Sequence, residues 1–224
     1  MTRVVVVSAG MGSPSTTKLL ADRIAAAAAD ALGRLGRSAE VEHIELRRLA
    51  TPLAATITTG GIVGPEVAAA HATVDRADAL IVVTPVFSAS YSGLFKLFFD
   101  TLDTDALNGV PTIIAATAGT PRHSLVLDFH LRPLFAYLRA VIVPTGVFAA
   151  TEDFGTAASA ALSDRITRAA DELACVVVGQ RAGALPASEP ALTARRKPLG
   201  ESTEVTPFEE LLRGHLGNFG SNQS

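Results

Sequence analysis

Three short runs, Arg3–Val7, Ala79–Val83 and Val110–Ala116, limit what this chain can fold into more than any other feature. They are dominated by consecutive Val, Ile, Leu and Ala. None alternates apolar with polar residues, so none suits a strand with one wet face. Continuous runs of this kind are strands buried on both faces, and such strands belong to parallel sheets covered by helices on either side.

The intervening segments supply the helices. Ser15 or Thr16 caps a predicted helix to Leu35, with Leu19, Leu20, Ile24, Ala27, Ala31 and Leu35 on one face and Gly36 as its stop. Val67–Ala77, Ser92–Leu102, Ser124–Leu138 and Ala157–Gly179 read as further helices. In Ser124–Leu138, the residues Leu127, Leu131, Leu134, Phe135 and Leu138 should face inward. Ala39–Leu46 is a weaker second strand nearer an edge. Ala140–Val143 begins a fifth strand that resumes after Pro144 as Gly146–Ala149. Thr51–Gly64, rich in threonine and glycine, reads as irregular.

Strands alternating with helices of this length require right-handed crossovers. The expected fold is therefore α/β: a flavodoxin-like, doubly wound, five-stranded parallel sheet in the order 2-1-3-4-5, within three α/β/α layers. It should occupy residues 1–180. Over residues 181–224 the composition turns to Pro, Ala, Ser and charge, which predicts a flexible C-terminal tail. That tail would end in a short amphipathic helix at 207–212, with Phe208, Leu211 and Leu212 on one face.

The net charge of −3 argues against a nucleic-acid groove, which needs a basic face. No apolar run approaches the roughly 18 residues of a membrane span. The first residues enter a strand directly, without the basic and apolar regions of a secretory signal. The single cysteine, Cys175, forms no internal disulfide and reads as core filler. A cytoplasmic protein is expected.

The chemistry gathers in three loops that follow the first, third and fourth strands. The first, 8–17, offers hydroxyls at Ser8, Ser13, Ser15, Thr16 and Thr17 beside a helix amino terminus, whose free N–H groups and dipole suit a phosphate. An ordinary N-cap with a glycine turn explains the same residues. Gly10-x-Gly12-x-x-Ser15 lacks the third glycine or alanine of the dinucleotide fingerprint, and Glu45 lies about 30 residues past the loop rather than about 20. No Walker A lysine follows. The loop favours a monophosphate. The second loop, from Thr84 to Gly93, has Pro85 and Val86 at the strand exit. It adds aromatic surface at Phe87 and Tyr91, and hydroxyls at Ser88 and Ser90. The third, Thr117-Ala118-Gly119-Thr120-Pro121-Arg122-His123, offers backbone N–H groups. Strands one and three flank the point where the strand order reverses, so these loops share one crevice. Together they match a flavin mononucleotide, with its phosphate at the helix terminus and its isoalloxazine across the other two loops. His123 either sits beside the ring or caps the following helix. Lys96 and Asp100, four apart, read as a surface ion pair. Arg122 reads as a solvated loop arginine, with the 2′-phosphate of NADPH as its alternative partner. His43, His71 and His130 lack metal-ligand spacing, and no metal site is expected.

Pro85-Val86-Phe87-Ser88-Ala89-Ser90-Tyr91-Ser92-Gly93, with Lys96 and Asp100 beyond, resembles the central motif of the NADPH-dependent FMN reductase family. That motif runs Pro-x-Tyr, then Ser, then Gly-x-x-Lys-x-x-x-Asp. Thr117–Ser124 resembles the family's third loop, and the resemblance covers roughly residues 3 to 180. The branch it looks most like supplies reduced FMN to luciferase-like flavin-dependent monooxygenases. Two departures stand out: Phe87 replaces the usual tyrosine, and the first loop lacks the arginine of the family's Ser-x-Arg version.

The resemblance implies an NAD(P)H:FMN oxidoreductase with FMN and NADPH (or NADH) as cofactors and a flavin-dependent monooxygenase as partner. It also implies a homodimer or dimer of dimers, with apolar surface on the 92–102 and 124–138 helices. No catalytic side chain is expected, because the cofactor supplies the reactivity. Rival readings are an FMN-containing quinone or azo reductase, a flavodoxin-type electron carrier, and a relative that has lost flavin. The modest charge and absence of tryptophan speak against the carrier.

Overall fold

The four valines of the first run are at the centre of a parallel sheet, each almost wholly buried. The structure, a computed structural model, describes residues 1–154 and 158–182. The elements in chain order are β1 (Thr2–Ser8), α1 (Thr16–Arg34), β2 (Ala39–Glu45), α2 (Ala50–Thr58), α3 (Pro65–Asp75), β3 (Ala79–Phe87), β4 (Ser90–Tyr91) and α4 (Gly93–Asp100). They continue with β5 (Pro111–Ala118), α5 (Arg132–Tyr137), β6 (Val141–Ile142), β7 (Val147–Ala150) and α6 (Ala158–Ala182).

The sheet runs β2-β1-β3-β5-β6, with β7 also on β5 and β4 on β3. β6 pairs with the start of β5 and β7 with its end, both parallel. They are the two halves of the expected fifth strand, separated around Pro144. Counted as one, they restore the flavodoxin-like order.

Alternation along the strands divides the core in two. Val5, Val7, Leu80, Val82 and Ile114 face α3, α4 and α5. Val4, Val6, Ile81, Val83 and Ile113 face α1 and α6. On the first side Phe95, Phe99 and Phe135 form a ring cluster, with centroids 4.7 Å apart for Phe95–Phe99 and 4.9 Å for Phe99–Phe135. Tilted and edge-on pairs like these add stability beyond the apolar area they bury.

Several elements differ from expectation. The inward stripe of α1 is Leu20, Ala21, Ile24, Ala25, Ala28, Ala31 and Leu32, while Leu19 and Leu35 are exposed. The buried face is set by Leu20, Ile24 and Leu32 together with the alanines between them, and Leu19 and Leu35 fall outside it. The 51–64 stretch is irregular only at 59–64: its first part lies in α2, with Leu53 and Thr56 buried. Pro52 is in the first turn, where no N–H is needed. The Thr56 and Thr58 hydroxyls donate back to the carbonyls of Pro52 and Ala54.

The expected 124–138 helix begins as a π-helical turn at Leu127–Leu131 and continues as α5, after a 3-10 turn at Pro121–His123. Pro133 explains the widening. It has no N–H for the carbonyl of Phe129, and its ring clashes there in a regular helix. β3 extends through Phe87 and folds back onto β4, so the predicted loop is a hairpin. The 207–212 helix of the predicted tail lies outside the described residues.

Candidate functional site

β1, β3 and β5 end side by side, and their exits diverge. The chain leaves β1 for α1 on one face of the sheet and β3 for α4 on the other. Divergence of neighbouring crossovers opens a crevice beyond the strand ends. Here it is a cleft of about 270 Å³. The first loop contributes Met11, Gly12, Pro14, Ser15, Thr16 and Thr17 to it. The second contributes Pro85, Val86 and Phe87, the third Thr117, Ala118 and Gly119, and the segment after β7 adds Thr151.

The first wall is a built helix terminus. Ser15 caps α1, its hydroxyl oxygen accepting the Lys18 N–H at 3.1 Å. Gly10 passes so close that an added Cβ would lie 2.1 Å from Ser15 Oγ and 3.1 Å from Thr17 Cβ. The hydroxyls of Thr17 and Thr117 are hydrogen-bonded at 2.8 Å. These residues are only 3% and 4% exposed, so the bond ties the first turn of α1 to the end of β5 beneath the cleft. One hydroxyl donates to the other, and the accepting hydroxyl keeps its own proton for a further acceptor.

The second wall is held by a clasp. Ser92 N–H donates to the buried Thr84 hydroxyl at 3.0 Å, which in turn donates to the Pro85 carbonyl at 3.0 Å. The hairpin tip, Ser88 and Ala89, has φ of 48° and 67°. Neither residue is glycine, and left-handed backbone costs such residues about 1–2 kcal/mol each. The tip carries Phe87 to the rim of the cleft, 50% exposed. Ser90 is engaged elsewhere, hydrogen-bonded to His130 Nδ1 at 3.1 Å. Tyr91 packs its ring against Phe95 and His130.

The third wall presents exposed backbone at Gly119. Next to it, the buried Thr120 hydroxyl has no hydrogen-bond partner among the described residues. The Thr2 hydroxyl, at the opposite end of the sheet, is likewise unpaired, so neither orphan by itself marks a ligand site.

Of the residues expected from sequence, Ser15, Thr16, Thr17, Pro85, Val86, Phe87, Thr117, Ala118 and Gly119 are brought together in the cleft. Ser8, Ser13, Ser88, Ser90, Tyr91, Thr120 and His123 are not in its walls. Ser8 is buried at the end of β1, whereas Ser13 and His123 are exposed. Met11, Gly12 and Pro14 were missed because the first loop was read for hydroxyls. Thr151 had no local signal at all: only the sheet order carries it to the cleft.

The flanking charges are mostly committed. Glu45 pairs with Arg47 at 3.1 Å and Arg48 at 3.3 Å, so it is an ion-pair centre rather than a ribose contact. Lys96 pairs with Asp100, as their spacing predicts. A helix terminus with hydroxyls, an apolar wall and a polar wall suit a phosphate, a flat ring and its polar edge. The residues present therefore fit FMN.

Comparison with known proteins agrees with this geometry. Residues 2–155 match the family model described as NADPH-dependent FMN reductase. The FMN reductase (NADPH) of Pseudomonas aeruginosa is 39% identical over 182 residues, covering 80% of this chain and 94% of the relative. The NADH-dependent FMN reductase SfnE of Pseudomonas putida is 40% identical over 171 residues, covering 75% and 88%. A crystal structure of an oxidoreductase from Corynebacterium diphtheriae is similar with a TM-score of 0.77 and 52% identity, covering 80% of this chain and 98% of that one. The sheet order, the three-loop cleft and these matches together establish that the chain belongs to the NADPH-dependent FMN reductase family.

Proposed function

We propose that this protein is an NAD(P)H-dependent FMN reductase that passes hydride from a reduced nicotinamide to flavin and releases reduced flavin to a monooxygenase. The observation that carries the reading is the convergence of the β1, β3 and β5 loops on one cleft. FMN, when bound, supplies the ring that accepts hydride. The start of α1, with Ser15, Thr16 and Thr17, holds the phosphate. Pro85, Val86 and Phe87 form the apolar wall for the ring. Backbone N–H groups near Gly119 would donate to the polar edge of a bound ring. No side chain is asked to move a proton.

The cleft is smaller than the roughly 300–1,000 Å³ of enclosed ligand pockets, so a flavin lying in it keeps one side open. That openness suits a nicotinamide on the free side of the ring, and it favours a homodimer that adds walls from a second copy. Apolar surface for such an interface lies on the 124–138 segment, where Leu125, Phe129 and Tyr137 are 61%, 69% and 74% exposed. α4 has little to offer, because its phenylalanines are spent in the core. The cytoplasm is the compartment that we propose, because reduced nicotinamide nucleotides are held there.

Titrating the full chain with FMN while following flavin fluorescence tests the reading, together with NAD(P)H oxidation in the presence of free FMN or a quinone. Saturable quenching and turnover of free FMN are expected. Absence of both would exclude a flavin enzyme. Turnover of quinone with no use of free FMN would make this a quinone reductase that retains its flavin.

A further inference from the structure

The loops 8–17, 84–93 and 117–123 contain no Asp, Glu or Lys, and their only basic side chains are Arg122 and His123. Among the described residues, several cations near these loops are neutralised. Lys18 pairs with Asp22 at 2.8 Å, Arg47 and Arg48 with Glu45 at 3.1 and 3.3 Å, and Lys96 with Asp100. Arg122 is exposed and makes no hydrogen bond or ion pair among the described residues.

Its position is nonetheless defined. It stands in the 3-10 turn Pro121–His123, closed by the Ser124 N–H donating to the Pro121 carbonyl at 3.0 Å. Gly119 in the cleft wall is three residues back, so Arg122 lies within about 10 Å of that wall by chain length alone.

We propose that Arg122 binds the 2′-phosphate of NADPH and makes the enzyme selective for NADPH over NADH. The inference rests on the FMN reductase reading above. FMN has one phosphate, and the α1 terminus on the β1 side of the cleft serves it. Arg122 is on the β5 side and is left for a different anion. The other ligand in the reaction is a dinucleotide. Its pyrophosphate is common to NADH and NADPH, whereas the 2′-phosphate is a monoester with nearly two charges and three acceptor oxygens. A planar guanidinium that pairs with no carboxylate among the described residues matches such a group through two parallel hydrogen bonds. Overall similarity does not choose between the cosubstrates, since relatives at 39% and 40% identity are named for NADPH and NADH respectively. A local charge does.

Two measurements on the full chain test this. The first is kcat/KM for NADPH and NADH, with FMN saturating, in wild type, Arg122→Gln and Arg122→Lys. The second is calorimetric binding of adenosine 2′,5′-bisphosphate and adenosine 5′-monophosphate to wild type and Arg122→Gln. Wild type should prefer NADPH. In Arg122→Gln the NADPH:NADH ratio should fall about ten- to hundredfold, the scale of a lost hydrogen bond to a charged group. Arg122→Lys should fall between the two, and the bisphosphate should lose affinity in Arg122→Gln while the monophosphate does not. A wild-type preference for NADH, an unmoved ratio, or equal loss with both cosubstrates would overturn the assignment, the last pointing to a pyrophosphate contact. If wild type neither quenches flavin fluorescence nor turns over free FMN, the FMN reductase reading itself fails, a result distinct from any of these.

Discussion

Gly10 and Ser15 show how tightly the phosphate wall is built. Ser15 was legible as a cap because it precedes an apolar-periodic helix by one residue. The requirement for glycine at position 10 was not, because it depends on how closely β1's exit crosses the helix start. In Gly10→Ala the new methyl group displaces the Ser15 hydroxyl and presses on Thr17. Losing the cap costs about 1 kcal/mol, a fall in Tm of about 2–4 °C for a domain of this size. The shifted Thr17 should weaken FMN binding about tenfold or more, read by fluorescence quenching. A variant with unchanged Tm and affinity would show that the close approach does not matter. The Thr17–Thr117 bond was invisible in the sequence, since its partners are 100 residues apart. Ser90 and Tyr91 were read as ligand groups from their chemistry alone. Their contacts with His130 depend on where the π-helical turn lies.

The contact between α3 and the end of α4 has a pH dependence. His71 Nε2 is 3.0 Å from the Thr101 hydroxyl, which itself donates to the Phe98 carbonyl. Thr101 therefore has only a lone pair to offer, and Nε2 carries the proton and donates. The ring also meets Phe98 edge-on at 5.6 Å. Burial lowers the His71 pKa below its ordinary 6.5, and Asp75 opposes the shift only in part. Because the folded pKa is depressed, the unfolded chain takes up the proton first. The contribution of neutral His71 is thus complete above pH 6.5 and is lost as pH falls through the folded pKa. Urea midpoints at pH 7.5 and 5.5 should fall further apart in wild type than in His71→Gln, which keeps a donor but does not titrate. Equal differences would remove His71 as a cause.

Among these elements, the short apolar runs were legible because burial on both faces leaves no polar alternation. α2 and the broken 124–138 helix were not. In the first, docking of Leu53 and Thr56 outweighs poor local propensity. In the second, one proline resets the hydrogen-bond pattern of a segment whose apolar spacing still looks helical.

For the molecule as a whole, the apolar side chains of the 124–138 segment carry the homodimer that we propose. Wild type should sediment at about twice the 23.2 kDa chain mass, and Phe129→Asp should shift it towards the single-chain value. A wild type that sediments as one chain at micromolar concentration would remove the second copy from the account. Sheet class, strand order and the edge where ligands bind all follow from short apolar runs alternating with helical patterns, because backbone propensity, capping and burial periodicity act at short range. Which loop residues share the cleft is a different matter. Thr151 joins the walls, Thr17 meets Thr117, and Arg122 makes no ion pair among the described residues. Each of these depends on distances across the sheet between residues far apart in the chain, and no local pattern encodes such distances.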